Sequence, residues 1–397
     1  MSTSQVFKLT RKAGGGALPR VCVAGVGTAG VRVIDRIGGG GAVGATFAAL
    51  HTNRSVLEGC QVQTRIPLGD GSVSDGCGGA VALGRKAATR DVELVRGLIS
   101  DCQALILVAG LGGGTATGAL PVLLQAAKGA GVFTAVMLTL PFAFEGSARK
   151  RLAEDGLRAL LPIADFTAVV SNDSLVGNQQ QEAMERALDT ALDGLAAGVC
   201  SLWQMLAVPS LLSLDQGDLR ALGTQGGSAC AFAYGMATGP TRANDVMDSL
   251  HATFPGVSSH LAGGGGVLAC VCASRDLSLD EVSAVLHPVH QVVPDAGVFR
   301  AGVVLHESWR DRLFLALFLG DSRRKVTATV RSASGGGAAV APKGKSVAGA
   351  RASQEEFNLD GASAAGQGRF GRTKATILDG EDLDIPTYIR RNIKLDQ

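Results

Sequence analysis

The eight cysteines (22, 60, 77, 102, 200, 230, 270 and 272) include no CxxC pair. Most lie inside apolar segments, where a reduced thiol packs as a small hydrophobe. No uninterrupted apolar run approaches the roughly 20 residues that span a bilayer, and the first twenty residues lack the apolar core of a secretory signal. Both absences predict a cytoplasmic chain with no direct membrane insertion. Charge of one sign is also missing: the formal net charge is +2, which gives no basis for nucleic acid as a partner. His287 and His290 flank Pro288, but no third ligand stands nearby, so no metal is expected to be held directly by the protein. What the chain does have is length and apolar content, 397 residues and 46% hydrophobic, enough for two cores.

Glycine is abundant, at 55 residues, and in one place its arrangement is chemical. The apolar run Ala104 to Ala109 leads into Gly110-Leu111-Gly112-Gly113-Gly114-Thr115-Ala116-Thr117-Gly118 and then a helix-forming segment. Consecutive glycines let backbone N–H groups converge on an anion, Thr115 and Thr117 add hydroxyls, and the helix aims its positive end at the site. The ligand expected is a polyphosphate. A second strand, loop and helix unit runs from Val21 through Gly25-Val26-Gly27-Thr28-Ala29-Gly30 into the helical spacing of Val31, Ile34 and Ile37. This loop fits GxGxxG, so an NAD(P)-dependent dehydrogenase is the distant alternative. That fold needs a carboxylate ending the second strand, and the segment near Ala45 to Leu50 ends instead in His51-Thr52-Asn53.

The order of these pieces resembles the tubulin/FtsZ family of GTPases, on its bacterial cell-division branch. The family signature GGGTGTG is similar to Gly112 through Gly118, with Ala116 in place of a glycine. Thr139-Leu140-Pro141-Phe142-Ala143-Phe144-Glu145-Gly146 resembles TKPFxFEG, with Arg149 at the matching spacing, and Ser171-Asn172-Asp173-Ser174-Leu175 resembles PNDxL. Similarity covers about residues 20 to 320 and returns at the extreme C-terminus. The resemblance implies GTP/GDP as ligand, with Mg²⁺ carried by the nucleotide. Its site would comprise Gly27, Thr28, Ala29, Gly30 and Arg32 in the first loop, Gly112 to Gly118 in the second, and Glu145, Arg149 and Asn172. It also implies Leu188, where the family stacks a Phe on guanine, and Asp193, aligned with the carboxylate that accepts guanine N–H groups. Loss of that aromatic stack is worth about 1–3 kcal/mol. Arg32 either adds a phosphate contact or lies on the exposed helix face.

Strand-like runs near Val21, Phe47, Leu105, Phe133 and Phe166 alternate with helices near Val31, Leu83 to Ile99, Leu120 to Lys128 and Ala148 to Leu161. This is the pattern of an α/β fold with a parallel sheet. With the resemblance, the pattern implies a disordered N-terminal arm over 1–19, a GTP-binding domain over 20–180, and over 181–210 a long helix that the family uses as a central bridge, ended by Pro209. A smaller second α/β domain follows over 211–320, with strands near 229–234, 267–273, 298–305 and 313–318 and helices near 243–252 and 279–286. Ser, Gly, Ala, Lys and Arg then dominate over 321–380, predicting a flexible linker with a reach of roughly 40 Å.

Two further segments gain meaning from the resemblance. Ser213-Leu214-Asp215-Gln216-Gly217-Asp218-Leu219 is similar to the family's NxDxxD loop, which enters the next subunit's pocket and orients the attacking water; an isolated Asp pair of this kind is otherwise a helix cap. The implied activity is GTP hydrolysis, assigned to Asp215 and Asp218, in a head-to-tail homopolymer at the division site beneath the inner membrane. Ser213 replaces the family's Asn, and a glycine-to-alanine change at 116 costs about 1 kcal/mol if that position needs φ > 0, so hydrolysis is expected to be slow. The alternative is a tubulin-like assembly protein that binds nucleotide with little or no hydrolysis. The terminal segment 381–397 contains Asp382-Leu383-Asp384-Ile385-Pro386-Thr387-Tyr388-Ile389-Arg390, similar to the family tail motif DLDIPxFLRR. Asp382, Leu383, Asp384, Ile385, Pro386, Tyr388, Ile389 and Arg390 are therefore expected to bind membrane-tethering adaptors and division regulators.

Overall fold

The computed structural model describes residues 20–38, 45–70, 76–176, 184–207, 210–224, 229–254, 257, 265–293, 298–320, 377–378 and 381–382. The frame is one ten-stranded sheet. Its strands are β1 (Val21–Val26), β2 (Ala45–His51), β3 (Thr64–Pro67), β4 (Ala104–Gly110), β5 (Phe133–Leu140), β6 (Phe166–Ser171), β7 (Cys230–Thr238), β8 (Val267–Ala273), β9 (Phe299–Leu305) and β10 (Arg312–Leu319), in the order β3-β2-β1-β4-β5-β6-β7-β10-β8-β9. From β3 to β7 every pairing is parallel, and β10 alone runs antiparallel to both its neighbours. Every residue of β1 and nearly all of β4 and β5 are buried, which is why these strands read as unbroken apolar runs: a parallel strand is covered on both faces.

The helices of the main unit are α1 (Gly27–Gly38), α2 (Arg54–Glu58), α3 (Val81–Arg90), α4 (Val92–Ile99), α5 (Gly114–Gly129), α6 (Ser147–Leu160), α7 (Asn172–Val176), α8 (Met184–Ala207), α9 (Gln216–Thr224), α10 (Arg242–Thr253) and α11 (Leu279–Val292). One face of the sheet packs on α1, α7, α8 and α9 through Val31, Ile34, Leu175, Leu195, Trp203 and Leu222. The other face is covered by α3 to α6 over the N-terminal strands and by α10 and α11 over the C-terminal ones. The central helix α8 is in close contact: a Cβ on Gly194 would lie 2.4 Å from Leu175, and one on Gly198 would lie 2.4 Å from Met137.

Four elements differ from the sequence expectation. The short strand β3 was not expected, having one buried residue in four. The helix expected over 83–99 breaks at Asp91, whose carboxylate accepts the Gly69 N–H and whose backbone (φ −101°, ψ 20°) leaves the helical region. Helix α5 starts six residues ahead of expectation, inside the glycine-threonine run, and α11 continues through Pro288 to Val292. The strands of both expected domains join one sheet, β6 and β7 sharing two residue pairs.

Both edges of the sheet are blunted. On one side β3 is four residues long and ends in Pro67, which has no N–H to offer. On the other, β9 is covered by a short segment: the Leu211 N–H donates to the Val303 carbonyl at 2.8 Å and the Val303 N–H donates to the Leu212 carbonyl at 3.0 Å.

Residues 337–397 form a second unit, described by itself. Its described part is a pair of two-residue antiparallel strands, β11 (Ile377–Leu378) and β12 (Glu381–Asp382). The expected arm over 1–19, Pro209, most of the linker, and the peptide residues Leu383, Asp384, Ile385, Pro386, Tyr388, Ile389 and Arg390 lie outside the described residues.

Candidate nucleotide site

Parallel strands leave a crevice beyond their C-terminal ends, where successive connections diverge. Here β1, β2, β4, β5 and β6 deliver Gly27, His51, Gly110, Thr139 and Asn172 to the rim of one cleft of about 300 Å³. Its floor is the start of α5. The N-cap residue is Gly113 (φ −95°, ψ 154°), and no side chain caps the helix. The N–H groups of the first turn, which have no intrahelical partner, therefore have no capping side chain, and the helix dipole adds its positive end. Gly113, Gly114, Thr115 and Ala116 line this floor.

The loop ahead of α5 is held by its own bonds. The Gly112 N–H donates to Thr117 Oγ1 at 3.0 Å. Gly112 has φ +92°, and a Cβ there would lie 2.8 Å from the Arg149 carbonyl oxygen, so this position requires glycine. Ala116 is different. Among the described residues the one non-glycine with positive φ is Asp311, so the alanine sits in ordinary helical backbone, with its Cβ against the space beside Gly27. The strain anticipated for it does not arise.

On the opposite wall, Gly27 (φ +73°) opens α1, and Thr28 and Ala29 line the cleft. At the mouth, Arg149 Nη1 pairs with Glu145 Oε2 at 2.8 Å, and Glu145 Oε1 accepts the Phe142 N–H at 2.8 Å. Arg149 and Glu145 are the charged side chains among the described lining residues, and their charges cancel.

Several expected residues lie off this cleft. Gly30 and Gly118 serve close packing: a Cβ on Gly30 would lie 2.2 Å from the Val108 carbonyl, and one on Gly118 would lie 2.3 Å from that of Val81. Thr117 is buried and spends its hydroxyl on Gly112, while Arg32 is exposed on α1. Leu188 packs, partly buried, on the core of α8. Asp193 pairs with Arg36 at 3.0 Å, and Asp189 shares the same guanidinium at 2.7 Å.

Asp215 and Asp218 stand at the far end of the sheet. The Asp215 N–H donates to Asp218 Oδ2 at 3.1 Å, the Asp218 N–H donates to Asp215 Oδ1 at 2.9 Å, and Arg300 Nε reaches Asp218 Oδ1 at 3.2 Å. Their helix α9 is anchored by Arg220, which pairs with Asp165 at 3.1 Å and lies over the Phe133 ring at 5.0 Å. Those anchors are the N-terminal ends of β6 and β5. The cleft lies at the C-terminal ends, about 20 Å further along.

The lining residues outside the expected site include His51 and Cys77, and Thr52 stands behind them, bonded to the floor residue Thr115. Thr52 Oγ1 lies 2.7 Å from Thr115 Oγ1, and the Cys77 thiol adjoins both at 3.5 and 3.6 Å. His51 Nε2 lies 3.1 Å from Thr28 Oγ1, its Nδ1 accepts the Asn53 N–H at 2.7 Å, and burial holds its pKa below the usual histidine value. The available signal was positional: His51 ends a strand and Thr52 directly follows it.

The family model for the tubulin/FtsZ family GTPase domain matches residues 20–180. The cell division protein FtsZ of Azotobacter vinelandii is 29% identical over 382 residues, covering 93% of this chain and 95% of that protein. Cell division protein FtsZ 1 of Archaeoglobus fulgidus is 30% identical over 285 residues, covering 71% of this chain and 77% of that protein. A solved structure, the empty FtsZ dimer of M. jannaschii, matches with a TM-score of 0.70 at 26% identity, covering 78% of this chain and 90% of that one. Sequence and overall fold agree: the chain belongs to the tubulin/FtsZ family and is a GTPase of that family.

Proposed function

We propose that this GTPase is a cell-division filament protein that binds GTP with Mg²⁺ in the cleft, joins copies of itself head to tail, and hydrolyses GTP where two copies meet. One observation carries this reading: the helix that carries Asp218 and follows directly on Asp215 is anchored at the N-terminal ends of β5 and β6, and the cleft lies beyond their C-terminal ends. A single chain cannot bring both to one phosphate. A neighbour stacked in the same orientation can, and such a heterologous contact does not close, so it generates a filament.

In the proposed complex the uncapped N–H groups of α5 and the hydroxyls of Thr28 and Thr115 cradle the phosphates, and Arg149 supplies the one cationic side chain among the described lining residues. A triphosphate brings several negative charges to a cleft whose own charges cancel, which favours a divalent cation travelling with it. No cluster of three acidic, histidine or cysteine side chains exists among the described residues, so Mg²⁺ would be held by phosphate oxygens and water, with threonine hydroxyls nearby. Bound there, it would supply charge neutralisation for the transferred phosphoryl group. The neighbour's Asp215 and Asp218 orient a water in line with the γ-phosphate, and GDP and phosphate leave. Because Leu188 and Asp193 stand on α8 outside the described cleft, the base is proposed to extend beyond the rim toward them, and the terminal peptide from Asp382 to Arg390 to recruit adaptors and regulators at the division site.

The second reading, assembly with little or no hydrolysis, is favoured by one feature: both aspartates already cap α9, and Asp218 also pairs with Arg300. Phosphate release measured across protein concentration decides. Shared-site hydrolysis gives a rate per subunit that rises with concentration and then saturates; a rate flat down to monomeric dilution excludes it, and no release favours the second reading.

A further inference from the structure

We propose that His51 is a positioning residue for the phosphate cradle: its neutral imidazole holds Thr28 so that the threonine hydroxyl proton points into the cleft as a donor to a nucleotide phosphate oxygen. The proposal rests on the cleft being a GTP site.

The bonding fixes the direction of each proton. His51 ends β2 and is 5% exposed. Its Nδ1 accepts the Asn53 N–H at 2.7 Å, so the ring proton resides on Nε2. At 3.1 Å from Thr28 Oγ1, that Nε2–H donates and the threonine oxygen accepts. The opposite arrangement would need a proton on Nδ1, pointing directly at the Asn53 N–H. With one lone pair occupied by the ring, Thr28 keeps its own proton for another acceptor, and the donated bond polarises the hydroxyl and strengthens it as a donor.

The surroundings supply that acceptor. Thr28 is exposed to the cleft and faces the floor formed by Gly114 to Ala116, where anionic oxygens are expected. Burial lowers the His51 pKa, so the neutral ring persists at pH 7. A simple staple between β2 and α1 would use the same contact, but it would not require the Thr28 proton to remain available.

The test is a double-mutant cycle on the full chain, with GTP affinity measured calorimetrically in Mg²⁺ alongside thermal unfolding. Thr28→Val is expected to weaken GTP about tenfold, the worth of one hydrogen bond to a charged group. His51→Phe should weaken it similarly in the wild-type background and less than about twofold once Thr28 is valine. His51→Gln, which restores an amide donor toward Thr28, should recover affinity to within about threefold, as should Thr28→Ser. Independent, additive losses, or Thr28→Val binding GTP like wild type, overturn the relay while leaving the GTP site intact. A wild-type chain that binds no GTP overturns both. If His51→Phe does not fold, His51→Gln and Thr28→Val decide: the relay falls if the glutamine variant alone loses tenfold.

Discussion

Asp215 and Asp218 cap one another, each carboxylate accepting the other residue's N–H across the first turn of α9. The same two side chains are therefore structural and, in the proposed filament, catalytic, and substitutions must separate the roles. Asp218→Asn keeps an oxygen for the cap and removes the charge. It is expected to leave GTP binding and the melting temperature close to wild type while lowering turnover at least about a hundredfold. Asp218→Ala should lose turnover equally and, in addition, about 1 kcal/mol of stability with the cap. Turnover and thermal unfolding on both variants check this.

The two glycine-loop positions give opposite expectations. Gly112→Ala forces a Cβ against the Arg149 carbonyl at a residue with φ +92°. It should cost about 1–3 kcal/mol and most of the GTP affinity. Ala116→Gly, which restores the family signature, should instead destabilise by about 1 kcal/mol, because it places glycine inside a helix, and should bring no gain in turnover. Denaturant midpoints and nucleotide titration distinguish these outcomes.

How much was legible follows from how local each signal is. β1, β4 and β5 were readable because a strand covered on both faces is apolar throughout. β3 was not, since Ile66 is its one buried residue, and the break at Asp91 depends on a bond from Gly69, distant in sequence. The start of α5 was hidden because glycine and threonine are poor helix formers, and tertiary packing against α3 overrides that preference. The glycine loops, Glu145 and Arg149 were visible as contiguous motifs. His51, Thr52 and Cys77 were not: they meet Thr28 and Thr115 only because parallel crossovers carry separate strand ends to one cleft.

Arg242 opens α10 with its side chain 5% exposed, paired with Glu281 at 2.7 Å and Asp276 at 2.8 Å. The Arg242 hydrogen bond holds Glu281 below the usual carboxylate range; for Asp276 the Ser274 hydroxyl acts first and Arg242 second. Arg242→Met should cost about 2–4 kcal/mol at pH 7, where both carboxylates are charged. A depressed folded-state pKa contributes stability above the unfolded value, near 4, that is lost as pH falls through the folded value. The difference between variant and wild type should therefore shrink below about pH 4. Urea midpoints at pH 7 and pH 3.5 test the sign.

The half-buried Cys102 thiol is drawn down from the ordinary thiol value, chiefly by its hydrogen bond with Cys22, whereas burial pushes Cys230 up to about 12 and raises Cys200 and Cys272. Since the thiolate is the nucleophile, iodoacetamide at pH 7.5 should label the half-buried Cys102 well before those three fully buried thiols. Peptide mass spectrometry over a time course reads this directly.

Pro67 at one margin of the sheet and the Leu211–Leu212 brace at the other have a consequence for assembly. Exposed strands are the easiest route by which one polypeptide recruits another, and a crowded ribbon of identical molecules would meet that temptation constantly. With both flanks blunted, sideways β-zippering is discouraged, which in the proposed filament leaves one axis as the direction of growth.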